Sequence, residues 1–302
     1  MKAIVYEKYG PPEVLKMTEI AKPVPKKDEV LIKVMATSVS AGDWRMRKAN
    51  PPLARIAAGL FRPTRIKILG FELSGVVEDT GSDVTKFEIG DKVFAFLGFK
   101  FGGYVQYKCM KETAYIAPMP QGLRYEEAAV VPTSGITALS FIRDNAKVNA
   151  GQNVMIYGAS GSVGTYAVQL AKYYGARVTA VCSTANVKMV GSLGADAVVD
   201  YKKQDFAATE ERYDLVFDAV NKVSKKKAAP ILKRGGRYIS VHDSTSKISP
   251  AHLSDLRELI IAKKLKPVVD RVYNMDEIVA AHRYVEAGHK KGNVAVSIDH
   301  ES

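Results

Sequence analysis

The chain has 302 residues, 47% hydrophobic and 25% charged, a length and composition typical of two globular domains and not of a disordered or fibrous protein. No apolar run approaches the ~18 residues that cross a bilayer, nothing at the N-terminus is typical of a signal peptide, and no membrane partner is expected. The formal net charge is +12, from 44 basic and 32 acidic residues, but the lysines are dispersed in short runs without a nucleic-acid motif, which argues against a nucleic-acid partner.

The first part of the chain predicts a strand-rich unit. Short β-rich runs are separated by Pro- and Gly-containing turns. They cover residues 3–6, 14–20, 30–35, 73–79, 92–96 and 104–108. Residues 42–48 predict a helical turn, and residues 51–65 predict a partly helical insertion.

From Tyr125 onward the pattern changes to strands alternating with helices. Residues 126–131 and 133–145 have helical spacing. The predicted strands are 153–157, 177–181, 197–199, 214–219 and 236–241, and the predicted helices are 162–174, 187–193, 225–233 and 253–263. This alternation predicts a doubly wound parallel sheet. A helix at 275–287 and a strand at 294–298 close the chain.

A glycine-rich stretch joins the strand at 153–157 to the helix that follows it. Such a turn lets the backbone approach a pyrophosphate, which binds the unpaired N–H groups at the helix N-terminus. Against the common G-x-G-x-x-G pattern, an alanine replaces the first glycine. A turn that binds nothing is the alternative, but its context favours a dinucleotide site. The candidate residues are Gly158, Ser160, Gly161, Ser162, Val163 and Gly164.

The next strand ends in residues that favour NADPH over NADH. An NAD site places Asp or Glu about 20 residues past the glycines, to bind the ribose 2′-hydroxyl. Here the loop offers Ser183, Asn186 and Lys188, and no carboxylate occurs between Gly158 and Asp196. A hydroxyl, an amide and an ammonium can all donate to a 2′-phosphate. Lys188 has an alternative interpretation as one solvated lysine among many.

Several motifs, spread over nearly the whole chain, carry a family resemblance. The motifs are "MKAIVYEKYGPPEVLKMTEI", "VMATSVSAGDW", "KILGFELSGVVEDTGSDVTKFEIGDKVFAF", "GGYVQY", "EEAAVVPTSGITAL", "VMIYGASGSVGTYAVQLAKYYGARVTAV", "LGADAVVDY" and "GHKKGNVAV". Together they resemble the medium-chain dehydrogenase/reductase superfamily, in its zinc-independent quinone oxidoreductase-like branch.

The resemblance implies an α/β protein with a GroES-like β-rich domain and a Rossmann doubly wound parallel-sheet domain. The GroES-like domain would comprise residues 1–124 and 265–302, and the Rossmann domain residues 125–264. In the superfamily the first domain clasps the nicotinamide end of the cofactor. A homodimer is expected by the same resemblance. The two cysteines, Cys109 and Cys182, form no disulfide framework, and a reducing cytoplasm is the expected location.

Zinc is excluded residue by residue. Zinc-dependent relatives carry a cysteine where this chain has Ser40 and a histidine where it has Phe71. Neither serine nor phenylalanine is a zinc ligand, and a catalytic site needs three ligands from the protein. Asp43 and Glu72 match acidic positions of the family but cannot form a site alone.

What remains is hydride transfer from NADPH to an acceptor that is already electrophilic, such as a quinone or an α,β-unsaturated carbonyl. The resemblance places Ser40, Asp43 and Trp44 beside the nicotinamide, although many relatives carry asparagine at the Ser40 position. Trp44 could stack on a quinone, or simply pack on the first helix. Thr133 could contact the cofactor, cap a helix, or do both. The further cofactor residues implied are Thr133, Thr137, Tyr201, Ala219, Val220, Val241 and Asn293.

The sequence identifies no general acid. Four of the five histidines lie in helical or terminal segments and are expected to be solvated, and His242 is a weak candidate for proton transfer. Protonation from water is the simpler hypothesis. The segment 242–250 is shorter than in longer relatives, which leaves the outer wall of the substrate cleft and the dimer contact open.

Three functions remain open from the sequence. The favoured one is an NADPH-dependent quinone or enone reductase. The second is another zinc-free carbonyl or alcohol oxidoreductase. The third is a non-enzymatic protein that binds NADPH or nucleic acid, prompted by the positive charge.

Overall fold

The computed structural model describes residues 1–52, 54–243 and 247–300, and the chain divides into two units. Unit 1 comprises residues 1–133, 253–257 and 269–302, and unit 2 comprises residues 134–252 and 258–268. The unit limit after residue 133 differs from the predicted domain limit after residue 124, because the short helix Tyr125–Ala129 packs against strands of unit 1. The domain limits themselves stay a prediction.

The helices and strands are numbered in chain order. They are β1 (Lys2–Val5), β2 (Lys16–Glu19), β3 (Glu29–Val39), α1 (Ala41–Lys48), α2 (Ala54–Ala58), β4 (Glu72–Thr80), β5 (Lys92–Phe96), β6 (Tyr107–Lys111), β7 (Ile116–Pro118), α3 (Tyr125–Ala129), α4 (Pro132–Leu139), β8 (Asn153–Tyr157), α5 (Ser162–Tyr173), β9 (Arg177–Cys182), α6 (Val187–Gly191), β10 (Ala197–Asp200), β11 (Tyr213–Asp218), α7 (Lys225–Ala228), β12 (Leu232–Ser240), α8 (Pro250–Ile261), β13 (Val269–Asn274), α9 (Ile278–Glu286) and β14 (Asn293–Ser297). A π-helix, Ser140–Asn145, continues α4.

Unit 1 is built on a seven-stranded sheet in the order β13-β14-β3-β4-β5-β7, with β6 also paired to β3. Except for the parallel pair β13–β14, its strands pair antiparallel. The long central strand β3 places Val30, Ile32 and Val34 in the core, and it is buried on both faces over much of its length, since Leu31 and residues 36–39 are buried as well. β1 and β2 form a separate antiparallel hairpin.

Unit 2 is an all-parallel five-stranded sheet in the order β10-β9-β8-β11-β12. Counted from β8, this is the order 3-2-1-4-5 of a Rossmann sheet, in which ligands bind beyond the carboxyl ends of the strands where the order reverses. Central strands are fully buried, as Val154, Met155 and Ile156 show. The predicted fold class is confirmed.

The structure corrects several predicted elements. The helix predicted over 225–233 ends at Ala228, because Pro230 enters a 3₁₀ turn and the chain then extends into β12. The strand predicted at 104–108 lies at 107–111. β7 and β13 were not predicted, since β7 has only three residues and β13 carries two adjacent charged residues on a partly exposed edge, without an alternating pattern. Of the insertion predicted over 51–65, residue 53 lies outside the described residues, as do residues 244–246 of the short segment 242–250.

No helix within the described ranges is long and apolar enough to span a bilayer.

Candidate active site

The glycine turn of unit 2 has the geometry that a dinucleotide site requires. Gly158, directly after β8, adopts φ +74°, which glycine enters at little cost. Gly161 is the N-cap of α5 and its N–H donates to the Gly158 carbonyl oxygen at 2.9 Å. A Cβ added to Gly164 would lie 2.2 Å from that same oxygen, so only glycine allows α5 to pack this close to the end of β8. Ser162 and Val163 form the first turn of α5.

A second turn follows β11 and packs against the first. The N–H of Ala219 donates to the Tyr157 carbonyl oxygen at 3.0 Å. The Val220 side chain packs directly against Gly158, since a Cβ added to Gly158 would lie 2.7 Å from Cγ1 of Val220. The buried Asp218 carboxylate fixes this turn. It accepts from the N–H groups of Val220, Lys222 and Val223, at 3.0, 2.7 and 2.6 Å.

Asp218 was missed from the sequence, because its partners lie in the following turn and not at a motif spacing. Its carbonyl oxygen also accepts from the N–H of Val241, at 2.9 Å, which ties the end of β12 to the end of β11. Ala219, Val220 and Val241 therefore lie together at the carboxyl edge of the sheet.

Two hydroxyls from separate loops are joined by one buried amide. Asn186 Nδ2 donates to Ser160 Oγ at 3.0 Å and to Ser183 Oγ at 3.2 Å. Ser160 lies in the glycine turn and Ser183 follows β9, so Asn186 holds these loops together. Each hydroxyl oxygen accepts from the amide, which leaves its own proton to donate elsewhere. Asn186 is buried and its amide donates to these two serines, and its predicted role as a phosphate donor stays a prediction.

Lys188 is exposed on α6. Tyr201, at the end of β10, lines a pocket of about 420 Å³. The pocket is aromatic on one side, where the ring of Tyr201 stacks on Tyr157 with centroids 6.2 Å apart, and Tyr157 meets Phe206 at 5.1 Å. Its cations are Lys202, Lys203 and Lys227, of which Lys227 pairs with the lining Asp205 at 3.0 Å. Because Tyr157 directly precedes Gly158, this lysine-containing pocket lies beside the glycine turn.

One carboxylate near these loops was not anticipated from the sequence. Asp200 ends β10 in register with Cys182 of β9, which places it beside the loop that begins at Ser183. A hydrogen bond from the Thr184 side chain lowers the pKa of Asp200, and its carboxylate also accepts from the N–H of Lys202 at 3.0 Å. Parallel pairing of neighbouring strands was the signal that could have placed it there.

In unit 1, Ser40 and Asp43 form a capping box at the start of α1. The Ser40 hydroxyl and backbone N–H donate to Asp43 Oδ2 at 2.6 and 2.8 Å, and the N–H of Gly70 donates to Oδ1 at 2.8 Å. Burial raises the pKa of Asp43 to about 6, against the opposing effect of these donors. The capping box fixes the Ser40 hydroxyl, which is only half-buried.

A buried chain of polar side chains supports Asp43 from behind. The Tyr104 hydroxyl hydrogen-bonds Asp43 and lies 3.2 Å from Nε2 of His282. Arg47 Nη1 lies 3.5 Å from Nδ1 of the same ring, and the Arg47 guanidinium pairs with Glu286. Because arginine can only donate, Nδ1 is the acceptor and Nε2–H donates to Tyr104.

The expected solvation of the histidines is therefore wrong for His282, which is fully buried, and for His252, whose Nε2 lies 2.8 Å from Asp144 Oδ2. Both face the core side of their helices, which the helical spacing of the apolar neighbours could have shown. Burial lowers the pKa of His282 to about 3, and the nearby Arg47 cation acts in the same direction.

We expect His282→Gln to destabilise the protein more at neutral than at acidic pH. In wild type the unfolded histidine takes up a proton as pH falls below about 6.5 while the folded ring does not, so its contribution to stability is present at pH 7 and is lost toward the folded pKa of about 3. Glutamine has no such dependence. The cost of the substitution, measured by denaturant unfolding, should be about 2 kcal/mol larger at pH 7 than at pH 5. Equal costs at both pH values would show that the folded ring titrates normally.

A second buried carboxylate, Glu72 on β4, binds the start of α4. Glu72 Oε2 accepts from the N–H of Thr133 at 2.6 Å, and Oε1 accepts from the Ser38 hydroxyl. Burial raises the pKa of Glu72 to about 7. Thr133 therefore lies in the first turn of α4, and Glu72 accepts from one of the N–H groups that the start of the helix leaves unpaired. Thr137 follows one turn later on the same face of α4, and both threonines are half-buried.

Asn293 begins β14 and is buried. Nearby in sequence, Lys290 Nζ donates to the Gly292 carbonyl oxygen at 2.6 Å, and burial lowers the pKa of Lys290 to about 8.

Trp44 is half-buried on α1 and packs against the core, with the Arg45 guanidinium 5.5 Å from its ring centroid. Packing accounts for its position, and stacking on a ligand stays a prediction.

The residues at the zinc-ligand positions do not fit a metal. The ring of Phe71 packs against Phe101, with centroids 4.3 Å apart, and a Cβ added to Gly42 would lie 2.5 Å from it. Ser40 binds Asp43 instead. Across the described part of the chain, no group of three or more His, Cys, Asp or Glu side chains could hold a metal ion.

Three family models match the chain. A model described as an alcohol dehydrogenase GroES-like domain matches residues 26–121, and two described as zinc-binding dehydrogenase match residues 162–266 and 242–296. The first covers much of the seven-stranded sheet, and the second begins inside the glycine turn.

Named relatives match over nearly the whole chain. An Arabidopsis thaliana NADPH-dependent alkenal/one oxidoreductase is 32% identical over 98% of this chain and 79% of its own length. The quinone-oxidoreductase QR1 of Triphysaria versicolor is 32% identical over 98% of both chains. Among solved structures, the quinone oxidoreductase from Coxiella burnetii is 30% identical, covers 99% of both chains and superposes with a TM-score of 0.87.

Proposed function

We propose that this chain, which belongs to the quinone oxidoreductase-like branch of the medium-chain dehydrogenase/reductase superfamily, transfers hydride from NADPH to a quinone or an α,β-unsaturated carbonyl compound. The observation that carries the proposal is the glycine turn with its pair of amide-oriented hydroxyls, set in a Rossmann sheet. The names of the alkenal/one and quinone oxidoreductase relatives support the same acceptors.

Unit 2 supplies the residues that hold NADPH. Gly161 leaves space for the pyrophosphate to approach the N-terminus of α5, and Gly164 lets α5 pack closely against the end of β8. The hydroxyls of Ser160 and Ser183 donate to the 2′-phosphate, with Lys188 and the cations of the Tyr201 pocket supplying positive charge. Thr137, Ala219, Val220 and Val241 contribute at the same edge. Bound NADPH supplies the hydride, and the protein supplies orientation.

Unit 1 supplies Ser40, Asp43 and Trp44 toward the acceptor, with Thr133 and Asn293 toward the nicotinamide. The Ser40 hydroxyl donates its single proton to Asp43, so toward a bound acceptor its half-buried oxygen can only accept a hydrogen bond. No titrating histidine lies in this group, since His282 is buried behind Tyr104 and stays neutral. Water is the proposed final source of the proton.

We also propose that the reaction needs no zinc, since the Ser40 and Phe71 positions offer no ligand set. A homodimer and a cytoplasmic location stay predictions of the family resemblance and of the two free cysteines.

The test follows NADPH and NADH oxidation by absorbance with a quinone, an enone and a simple aldehyde, each with and without a metal chelator. We expect chelator-insensitive turnover of the quinone or the enone, faster with NADPH. Turnover of the aldehyde alone would instead support a different carbonyl oxidoreductase. Tight NADPH binding without turnover of any acceptor would support a binding protein and refute the proposed enzyme.

A further inference from the structure

Residues 54–67 of unit 1, here called the basic loop, form a surface loop whose two ends lie close together and whose tip is a short turn. After α2, the Ala58 carbonyl oxygen accepts from the N–H groups of Thr64 and Arg65, at 2.9 and 3.0 Å, which brings the two ends of the excursion together. A Cβ added to Gly59 would lie 2.2 Å from the Arg62 carbonyl oxygen, so the turn at the tip is tight. Ala58 and Pro63 are buried and anchor the base.

The tip carries large apolar side chains in solvent. Phe61 is 87% exposed, Leu60 is 60% exposed, and Ile56 on α2 is 64% exposed. Isolated exposed apolar residues are ordinary, but three within one short excursion form a patch of the kind that marks a contact surface. The hydrogen bonds at Ala58 keep the tip in this exposed form.

The basic loop carries four exposed cations, and no acidic residue lies near them in the sequence. Arg55, Arg62, Arg65 and Lys67 are all exposed. No aspartate or glutamate occurs anywhere from Trp44 to Phe71, so the segment cannot neutralise its own charge locally. Arg65 Nη1 also donates to the Ile56 carbonyl oxygen at 3.0 Å, which sets a cation beside the apolar residues.

An exposed apolar tip with exposed cations on both sides of it in the sequence matches the surface of an anionic bilayer, where apolar side chains enter the boundary between head groups and acyl chains while Arg and Lys remain among the phosphates. A nucleic acid would use the cations but leave Leu60 and Phe61 in water. The expectation of no membrane partner came from the lack of a spanning segment, which does not bear on surface binding.

We propose that the basic loop docks unit 1 on the surface of anionic lipid membranes, with Leu60 and Phe61 as the inserted residues. The binding is reversible and weakens with added salt, because part of it is screened electrostatic attraction. It does not depend on the proposed reaction. If both hold, the enzyme works where lipophilic quinones and enones partition.

The test is co-sedimentation of the full chain with vesicles of phosphatidylcholine alone or mixed with phosphatidylserine, at low and high salt. Wild type should bind the mixed vesicles and bind the neutral ones much less. The double substitution Leu60→Ser with Phe61→Ser should weaken binding at least tenfold, and Arg62→Gln about fivefold. Val24→Ser is the matched control. Val24 is 82% exposed and has lysines nearby in the sequence, but it lies outside the basic loop, so this variant should bind vesicles as wild type does.

Turnover of NADPH with a soluble acceptor and the midpoint of thermal unfolding report whether each variant is folded. Equal binding to both vesicle types, binding that survives in the double variant, or no binding by wild type would each overturn the proposal. If wild type does not bind vesicles, light scattering tests whether the tip is instead an interface between copies of the chain. A change from dimer to monomer on making the double substitution would show that it is. A failed hydride-transfer assay with intact vesicle binding would refute only the proposed function.

Discussion

Ser183→Asp is expected to reverse the cofactor preference. The new carboxylate would stand where the Ser183 hydroxyl accepts from Asn186, at the end of β9, and would meet the 2′-phosphate of NADPH. Repulsion between these charges at an effective dielectric constant near 20 is worth about 3 kcal/mol, or ~100-fold in kcat/KM with NADPH. The same carboxylate can accept from the 2′-hydroxyl of NADH, so activity with NADH should rise.

The measurement is the ratio of kcat/KM for NADPH and NADH with one quinone acceptor. Ser183→Asn is the matched control, because asparagine has the shape of aspartate without its charge, and it should keep the NADPH preference. If the aspartate variant kept that preference as well, the 2′-phosphate would have to bind away from Ser183.

Gly164→Ala is expected to disrupt unit 2 itself. Its Cβ would lie 2.2 Å from the Gly158 carbonyl oxygen and 2.8 Å from Ala159 Cα, and both are backbone atoms that cannot rotate away. Either α5 moves off the end of β8 or the turn opens. The expected cost is about 3 kcal/mol or more in the free energy of unfolding, with loss of NADPH binding. Thermal unfolding and cofactor titration measure the two effects.

Gly161→Ala separates cofactor binding from folding. The added Cβ there would meet no atom closer than 3.3 Å, and Gly161 has an extended backbone with φ −80°, which alanine adopts freely. The unfolding midpoint of the free protein should stay close to that of wild type, while NADPH affinity falls because the methyl group occupies the approach to the helix N-terminus. Equal losses of stability in both variants would contradict this assignment.

The sequence predicted what is decided locally. β8 begins and ends at the predicted residues, because five apolar-rich residues precede Gly158, whose positive φ turns the chain out of the strand. The helix and strand that follow are right to within one residue, since periodicity defines both and glycines flank the helix. The glycine turn was found for the same reason.

What the sequence could not show depends on pairing between distant segments. Asp200 lies beside the Ser183 loop only because β10 pairs with β9, and Tyr104 meets His282 only in the folded unit 1. Asn186 reads as a polar loop residue, yet burial turns it into a link between two serines. Such positions follow from tertiary packing, which overrides the local pattern.

The place of β14 in its sheet has a consequence for biosynthesis. β14 lies between β13 and β3, although β3 leaves the ribosome early and β14 very late. On the edge of β3 that β14 occupies, β6 already pairs with residues 29–33 of β3, but residues 36–39 stay unpaired until after all of the strands of unit 2 have been made. An open strand edge is a template for wrong pairing. The nascent chain thus has every strand of its cofactor-binding unit before the last part of β3 is paired.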